Sequence, residues 1–273
     1  MRVINITEKE FKKISHYIQA NYGIQLKKEK QTLVTGRLYH VLTSNNFRNF
    51  TEYYDYLVSD PTGDAAGTLI EKITTNHTFF MREADHFHYF RDQVLPVLVE
   101  TAKDKDLRIW SAGCSSGEEP YTLAMILDEF LGKEKKWWDT KILATDISNR
   151  VLDQAVKGEY PNEHLTSLPV HWRNNYFKKL NGEKSVLVDR IRNEVIYRKF
   201  NLMENVFPFK RKFHVIFCRN VMIYFNDETK LDLAGKFYHW TEPGGYLFVG
   251  HAESLNRDLC RYKYIIPAVY RKE

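Results

Sequence analysis

The chain has 273 residues, room for one large domain or two smaller ones at ~150 residues per domain. Hydrophobic residues make up 43% and charged residues 27%, a composition that excludes a disordered chain. Forty Lys and Arg against 35 Asp and Glu leave a formal charge of only +5. That is too small for a dedicated nucleic-acid binder, though it permits a local basic patch facing an acidic partner.

The first 75 residues read as helices only. Phe11, Ile14 and Ile18 recur at helical spacing, as do Val34, Leu38, Val41 and Leu42, then Tyr53, Tyr56 and Leu57. Asn45-Asn46 and Pro61-Thr62-Gly63 punctuate them. The expectation is a small all-α bundle over 1–75 and a linker helix region over 76–104.

From about residue 107 the pattern changes to strands alternating with helices. Leu107–Ser111 and Lys141–Thr145 read as buried strands, Glu118–Leu131 as the helix between them, and Ser148 as the cap of the next helix. Val195–Phe200, Phe213–Phe217 and Tyr246–Val249 are further strands, with a helix over Leu231–Trp240 and a turn at Pro243-Gly244-Gly245. Tyr262–Tyr270 reads as a last strand with an edge proline, Pro267. Tyr176–Leu180 and Ser185–Val188 flank Asn181-Gly182 and suggest an antiparallel insert near 174–194. The fold class expected is therefore α/β: a helical bundle, then a parallel-sheet, Rossmann-like domain over 105–273 that carries a small antiparallel β insert.

Three widely spaced cysteines, Cys114, Cys218 and Cys260, offer no disulfide framework and no C-x-x-C pair, which fits a reducing compartment. The N-terminus lacks the apolar core of a signal peptide. The longest apolar runs, Val94–Val99 among them, fall far short of the ~18 residues of a membrane span. A cytoplasmic protein is expected.

Chemistry concentrates at Trp110–Tyr121, a small-residue turn between strand and helix, where doubly wound folds bind nucleotides. Gly113 and Gly117 let a ligand approach the backbone. The spacing is not G-x-G-x-x-G, and no Lys-Ser or Lys-Thr follows as in a phosphate loop. Glu118 and Glu119 at the helix start would repel a pyrophosphate. They suit an adenosyl ligand that is cationic; alternatively they merely favour the helix dipole. Asp146, ending the second strand, can accept ribose hydroxyls or can cap the following helix. Asn76, Thr78 and Arg82 among aromatics, Asn201-Leu202 after a strand, and Arg219-Asn220 past another strand end complete a set of candidate site loops.

Taken together, Thr75–Glu83, Ser116–Tyr121, Ala144–Ile147, Phe217–Phe225 and Gly250–Ser254 resemble the CheR-type chemotaxis receptor methyltransferases, protein-glutamate O-methyltransferases. The resemblance implies an N-terminal helical domain and an S-adenosylmethionine-dependent domain with a small antiparallel subdomain, through which some members also tether to a receptor tail. It implies that Asn76, Thr78, Arg82, Glu118, Asp146, Asn201, Leu202, Arg219 and Asn220 line the S-adenosylmethionine pocket. It also implies that the substrate is glutamate on cytoplasmic chemoreceptor helices. Arg82 and Arg219 are the groups expected to assist the reacting carboxylate. No Ser/His/Asp triad is needed, since a glutamate is already an anion.

A basic face of Lys27, Lys28, Lys30 and Arg37, with Lys12 and Lys13 as a second group, is the expected docking surface for acidic receptor helices. The histidines and cysteines show no metal-ligand spacing, so no metal is expected; nor is nucleic acid, membrane insertion or an oligomer. The absence of an Asn/Asp-Pro-Pro-aromatic loop weighs against RNA or small-molecule methylation. The rival reading is a non-catalytic module that senses the cofactor or binds a receptor on the same fold.

Overall fold

A computed structural model describes residues 4–74 and 77–273. Four helices come first: α1 (Glu8–Tyr22), α2 (Gln31–Ser44), α3 (Phe50–Ser59) and α4 (Asp64–Ile73). Thr7 and Glu10 form a capping box at the start of α1. The Asn49 side chain accepts from Glu52 N–H at the start of α3. Phe11, Ile14, Ile18, Val34, Leu38, Leu42, Tyr53 and Leu57 are buried, so the helical periodicity marks most of the core face, but Val41 is half-buried and Tyr56 is exposed. Arg37, expected on a basic surface, instead turns inward. Its guanidinium donates to the Lys72, Ile73 and Thr74 carbonyls at 3.0–3.3 Å, capping the end of α4.

Helices α5 (Ala84–Tyr89) and α6 (Leu95–Thr101) lead into the sheet domain. There follow β1 (Ile109–Ala112), α7 (Glu118–Leu131), β2 (Ile142–Asp146), α8 (Asn149–Lys157), β3 (Glu159–Pro161) and α9 (Val170–Tyr176). Next come β4 (Phe177–Lys179), β5 (Lys184–Leu187), α10 (Asp189–Arg192), β6 (Val195–Lys199) and β7 (Phe213–Cys218). The chain ends with α11 (Asp227–Trp240), β8 (Thr241–Val249), β9 (Lys263–Ile266) and β10 (Val269–Arg271). The main sheet runs β6-β2-β1-β7-β8-β10-β9. The first five strands are parallel, and the last two are antiparallel additions. A separate three-stranded antiparallel sheet, β3-β5-β4, is the insert.

Four local expectations change. The C-terminal segment is a hairpin and not one strand, because the chain reverses between β9 and β10 at Pro267-Ala268, with Ala268 at φ 63°. The Pro243–Gly245 turn lies inside β8, where the register against β7 shifts; Gly244 takes φ 79° and the strand bulges instead of ending. The insert gains a third strand, β3, which three residues of sequence do not announce. Ser148 occupies the cap position of α8, but its side chain does not cap; its hydroxyl reaches Glu71 at 3.4 Å instead.

Strand alternation sorts the core into two faces. Trp110, Ile216 and Leu247 join the four N-terminal helices and α11 on one side. Ile109, Val215, Phe217 and Phe248 join α5, α7 and the insert on the other. The N-terminal bundle therefore shares its core with one face of the sheet. Trp110 is the hub of that face, with the rings of Phe200, Phe207, Phe209, Phe213 and Phe237 centred 4.8–6.0 Å away. Its indole N–H donates to Thr145 Oγ1 at 2.9 Å, which satisfies the one polar atom. No helix among the described residues is long and apolar enough to cross a membrane. Trp110→Ala should lower the unfolding free energy by about 3–5 kcal/mol, the cost of emptying such a site; denaturant titration measures it.

Candidate functional site

Strand order reverses at β1, whose successor β2 lies on one side and β7 on the other. A crevice opens at the carboxyl edge of a parallel sheet at such a point. Here it is a cavity with about 1050 Å³ of space free of protein atoms, part of it open to solvent. The loops after β1, β2, β6 and β7 line it, through Gly113–Ser115, Asp146-Ile147, Phe200–Leu202 and Arg219–Val221. Tyr22, Ile24 and Ile70 close it from the N-terminal helices.

The loop after β1 is tightly folded. Gly113 and Cys114 donate their N–H groups to the Thr145 carbonyl at 2.8 and 2.9 Å. Gly117 starts α7 at φ 94°, and a Cβ there would lie 2.7 Å from the Tyr197 hydroxyl and 2.9 Å from Ala155. Only glycine fits. Behind this turn the Tyr160 hydroxyl, from β3 of the insert, donates to the Ser116 carbonyl at 2.7 Å.

Asp146 lines the cavity, with each oxygen accepting one backbone N–H, Ser115 at 2.9 Å and Ser148 at 3.1 Å. A carboxylate has about four acceptor positions, so both oxygens retain capacity for further donors. Burial raises its pKa above the usual value, against the lowering effect of those N–H groups. Asp146 thus anchors the turn into α8 and remains able to bind hydroxyls.

The acidic lip is not the pair that the sequence suggests. Glu118 is 2% exposed, takes a hydrogen bond from Ser116 Oγ at 2.7 Å, and does not line the cavity. Burial raises its pKa. Glu119 faces the cavity, and it is already engaged with Ser111 Oγ at 2.7 Å and Arg219 Nη1 at 3.0 Å.

Arg219 is the centre of the polar arrangement. Its side chain is 2% exposed, and its guanidinium lies over the Phe87 ring, 4.9 Å from the centroid. Nη2 donates to the Arg82 carbonyl and to Glu83 Oε2, and Nε donates to His86 Nδ1 at 3.0 Å. Glu83 in turn accepts from the Asn220 amide at 3.0 Å and from His251 N–H at 3.2 Å. Burial would raise the Glu83 carboxyl, but the Asn220 hydrogen bond and the Arg219 charge outweigh it and hold it below its ordinary value. Glu253 supports the same loop, accepting from Asn220 N at 2.8 Å and Ile223 N at 3.0 Å. The Gly250 N–H also donates to Glu253. These bonds fix Asn220 at φ 60°, a left-handed conformation that asparagine tolerates.

Of the sequence candidates, Thr78, Arg82, Asp146, Asn201, Leu202, Arg219 and Asn220 converge on the cavity, Glu118 does not, and Asn76 lies outside the described residues. The Arg82 guanidinium is tied to the His77 carbonyl. The Asn201 amide bridges to the Asn21 carbonyl at 2.8 Å and accepts from Met203 N–H at 3.0 Å, so part of its capacity is structural. Sequence reasoning missed Glu83, His86 and Glu253 as parts of the site; Glu119 it named together with Glu118. The Gly250–Ser254 motif was the available signal for Glu253.

Glu83, His86 and His251 bring ligand-type atoms within 4.8 Å of one another, a convergence that linear spacing did not suggest. Glu83 and His86 are both bonded to the permanently charged Arg219, which makes the group an ion-pair network and a poor host for a second cation.

Residues 9–74 match the family model described as "CheR methyltransferase, all-alpha domain" and residues 76–268 that described as "CheR methyltransferase, SAM binding domain". A chemotaxis protein methyltransferase of Borreliella burgdorferi is 42% identical, covering 98% of this chain and 96% of that protein. A probable chemotaxis protein methyltransferase of Rhizobium etli is 36% identical over 93% and 99%. The chemotaxis protein methyltransferase of Escherichia coli is 35% identical over 92% and 86%.

Cys114 and Cys218 are buried beside the cavity, and burial pushes both thiols far up from their usual pKa. A thiol reagent near neutral pH should therefore leave both unmodified in the folded protein and reach them only after denaturation. Rapid native modification of either, read by mass spectrometry, would contradict this.

Proposed function

The chain belongs to the CheR methyltransferase family, and we propose that it methylates glutamate side chains on the cytoplasmic helices of chemoreceptors, giving γ-methyl esters. The observation that carries the reading is the cavity's chemistry. At the strand ends a nucleoside-sized space meets Asp146, with acceptor capacity to spare, and a helix start whose cavity-facing carboxylate, Glu119, disfavours a phosphate.

The residues present fit S-adenosylmethionine, which carries hydroxyls, an ammonium and a carboxylate, and which when bound supplies a methyl group activated by a positive sulfur. Asp146 would accept the ribose hydroxyls. Ile147, Phe200 and Leu202 offer apolar surface for a base, and Asn201 an amide edge. Glu119 would attract the ammonium, and Arg219 the carboxylate.

A glutamate substrate is ionised at neutral pH, so the chain need not supply a general base. Its task is to align the carboxylate oxygen with the methyl carbon and to keep water out. Arg82, held by the His77 carbonyl at the cavity, is the group placed to guide the incoming carboxylate. Arg219 is too deeply buried and too fully bonded to follow a substrate, and acts on the cofactor side.

The basic docking face narrows. Lys12 and Lys28 both pair with Glu8, at 3.3 and 3.1 Å, Lys13 lies over the Tyr54 ring, and Arg37 is internal. Lys12, Lys13 and Lys28 stay exposed beside these contacts, and with Lys27 and Lys30 they form the exposed cations offered to an acidic helix.

Two measurements test the reading. Asp146→Ala should weaken calorimetric binding of S-adenosylhomocysteine by ~10-fold or more, the worth of a hydrogen bond to a charged group. Incubation with methyl-labelled S-adenosylmethionine and a chemoreceptor fragment should yield label released by base as volatile methanol. Label that resists base would rule out the ester.

A further inference from the structure

Two carboxylates neutralise Arg219, and the neutral acceptors around it complete the hold on its guanidinium. Arg219 has five N–H groups. Glu119, Glu83 and the Arg82 carbonyl take three of the four terminal ones. The fifth donor, Nε–H, lies on the stem side of the guanidinium, away from the two carboxylates. It is directed at His86 Nδ1, 3.0 Å away.

His86 is 1% exposed on α5, with the His251 ring 4.5 Å away and the Phe248 ring 5.8 Å away, both edge-on. An Nε–H can only donate, so Nδ1 must present its lone pair. The ring proton then resides on Nε2, which has no hydrogen-bond partner among the described residues. We propose that His86 is a positioning residue for Arg219: held as the neutral Nε2–H tautomer, its Nδ1 lone pair takes the stem-side Nε–H, completes the ring of acceptors that holds the guanidinium, and so keeps the remaining Nη1–H available to the cavity.

The surroundings agree with a neutral ring. Burial first, then the charges of Arg219 and His251, push His86 down to about 4, against the opposing pull of Asp85 and Glu83. Asp85 is itself occupied by His251 Nε2 at 2.9 Å. A proton on Nδ1 would face the guanidinium and break the contact. Because the folded pKa lies below the ordinary 6.5, the unfolded chain binds the proton more readily. The His86 contribution to stability is therefore intact above ~6.5 and declines as the pH falls toward ~4.

The proposal rests on the cavity being the S-adenosylmethionine site, and its test separates the two. His86→Phe keeps a ring and removes the acceptor; His86→Asn returns an acceptor near the place of Nδ1. His86→Phe should weaken S-adenosylhomocysteine binding by ~10-fold or more, and His86→Asn should recover most of that loss. Long-range ¹H–¹⁵N spectra of the unsubstituted protein should show a neutral His86 with its proton on Nε2. Unchanged binding in His86→Phe, equal weakness in a folded His86→Asn, or a proton on Nδ1 would overturn the proposal. Should His86→Phe not fold, the tautomer and the His86→Asn affinity still decide. Failure of the unsubstituted protein to bind S-adenosylhomocysteine would instead overturn the reading of the cavity.

Discussion

A guanidinium cannot shed its proton, so burying one commits the surrounding chain to supply acceptors and counter-charge. Arg219 imposes that demand at the heart of this fold. Its partners come from the Arg82-Glu83 turn, from His86 on α5 and from Glu119 on α7. The 82–86 stretch and α7 are far apart in sequence from each other and from Arg219, and the cation draws them to the end of β7. Glu83 passes the constraint to Asn220 and His251, and Glu253 closes it through backbone N–H groups. Removing one partner of such a buried network leaves an uncompensated charge, commonly worth about 3–5 kcal/mol. The loops of the cavity are therefore ordered as one unit.

The N-terminal helices belong to the same construction. Gln25 N–H donates to the Tyr224 carbonyl at 2.8 Å, Asn201 reaches the Asn21 carbonyl, and Ile24 forms a bridge with Phe225. Tyr22 and Ile24 form part of the cavity wall, and the bundle's apolar core runs on into the sheet face around Trp110. A cavity that needs water excluded is thus walled on one side by the all-α half. The insert supports the opposite side, through Tyr160 on the Ser116 carbonyl and Ser167 on the Phe80 carbonyl.

The sequence was legible where one physical rule dominates. Helical spacing found the buried face of α1 to α3, and runs of apolar residues found β1, β2, β6 and β7. It was illegible where a tertiary partner decides. Glu118 and Glu119 are adjacent and chemically alike; which one faces the cavity depends on how Gly117 turns the chain into α7, and Arg219 selects the second. The Pro243–Gly245 stretch carries every mark of a turn, yet β7 keeps it in the sheet as a bulge. Arg37 looked like a surface cation because nothing in its neighbourhood reveals that the carbonyls of α4 end beside it. His86 lies on α5, but its partner Arg219 lies beyond β7, where no local spacing can point.

The charge balance of the site bears on what it can hold. Arg82 and Arg219 line the cavity with Glu119 and Asp146, and Glu83 is bonded to Arg219 outside the lining. A carboxylate at the start of α7 disfavours a phosphate there, and groups of both signs suit a ligand that itself carries both. Burial raises the Asp146 carboxyl against the backbone N–H groups of Ser148, Ser115 and Ile147, and ribose hydroxyls would add further donors to it. The proposed reaction then removes charge, since a sulfonium and a carboxylate become a thioether and an ester. A dry cavity favours such a step more than water does. The chemistry asked of the protein is accordingly modest: fixed charges held in place by Arg219 and its partners, and a wall that keeps solvent out.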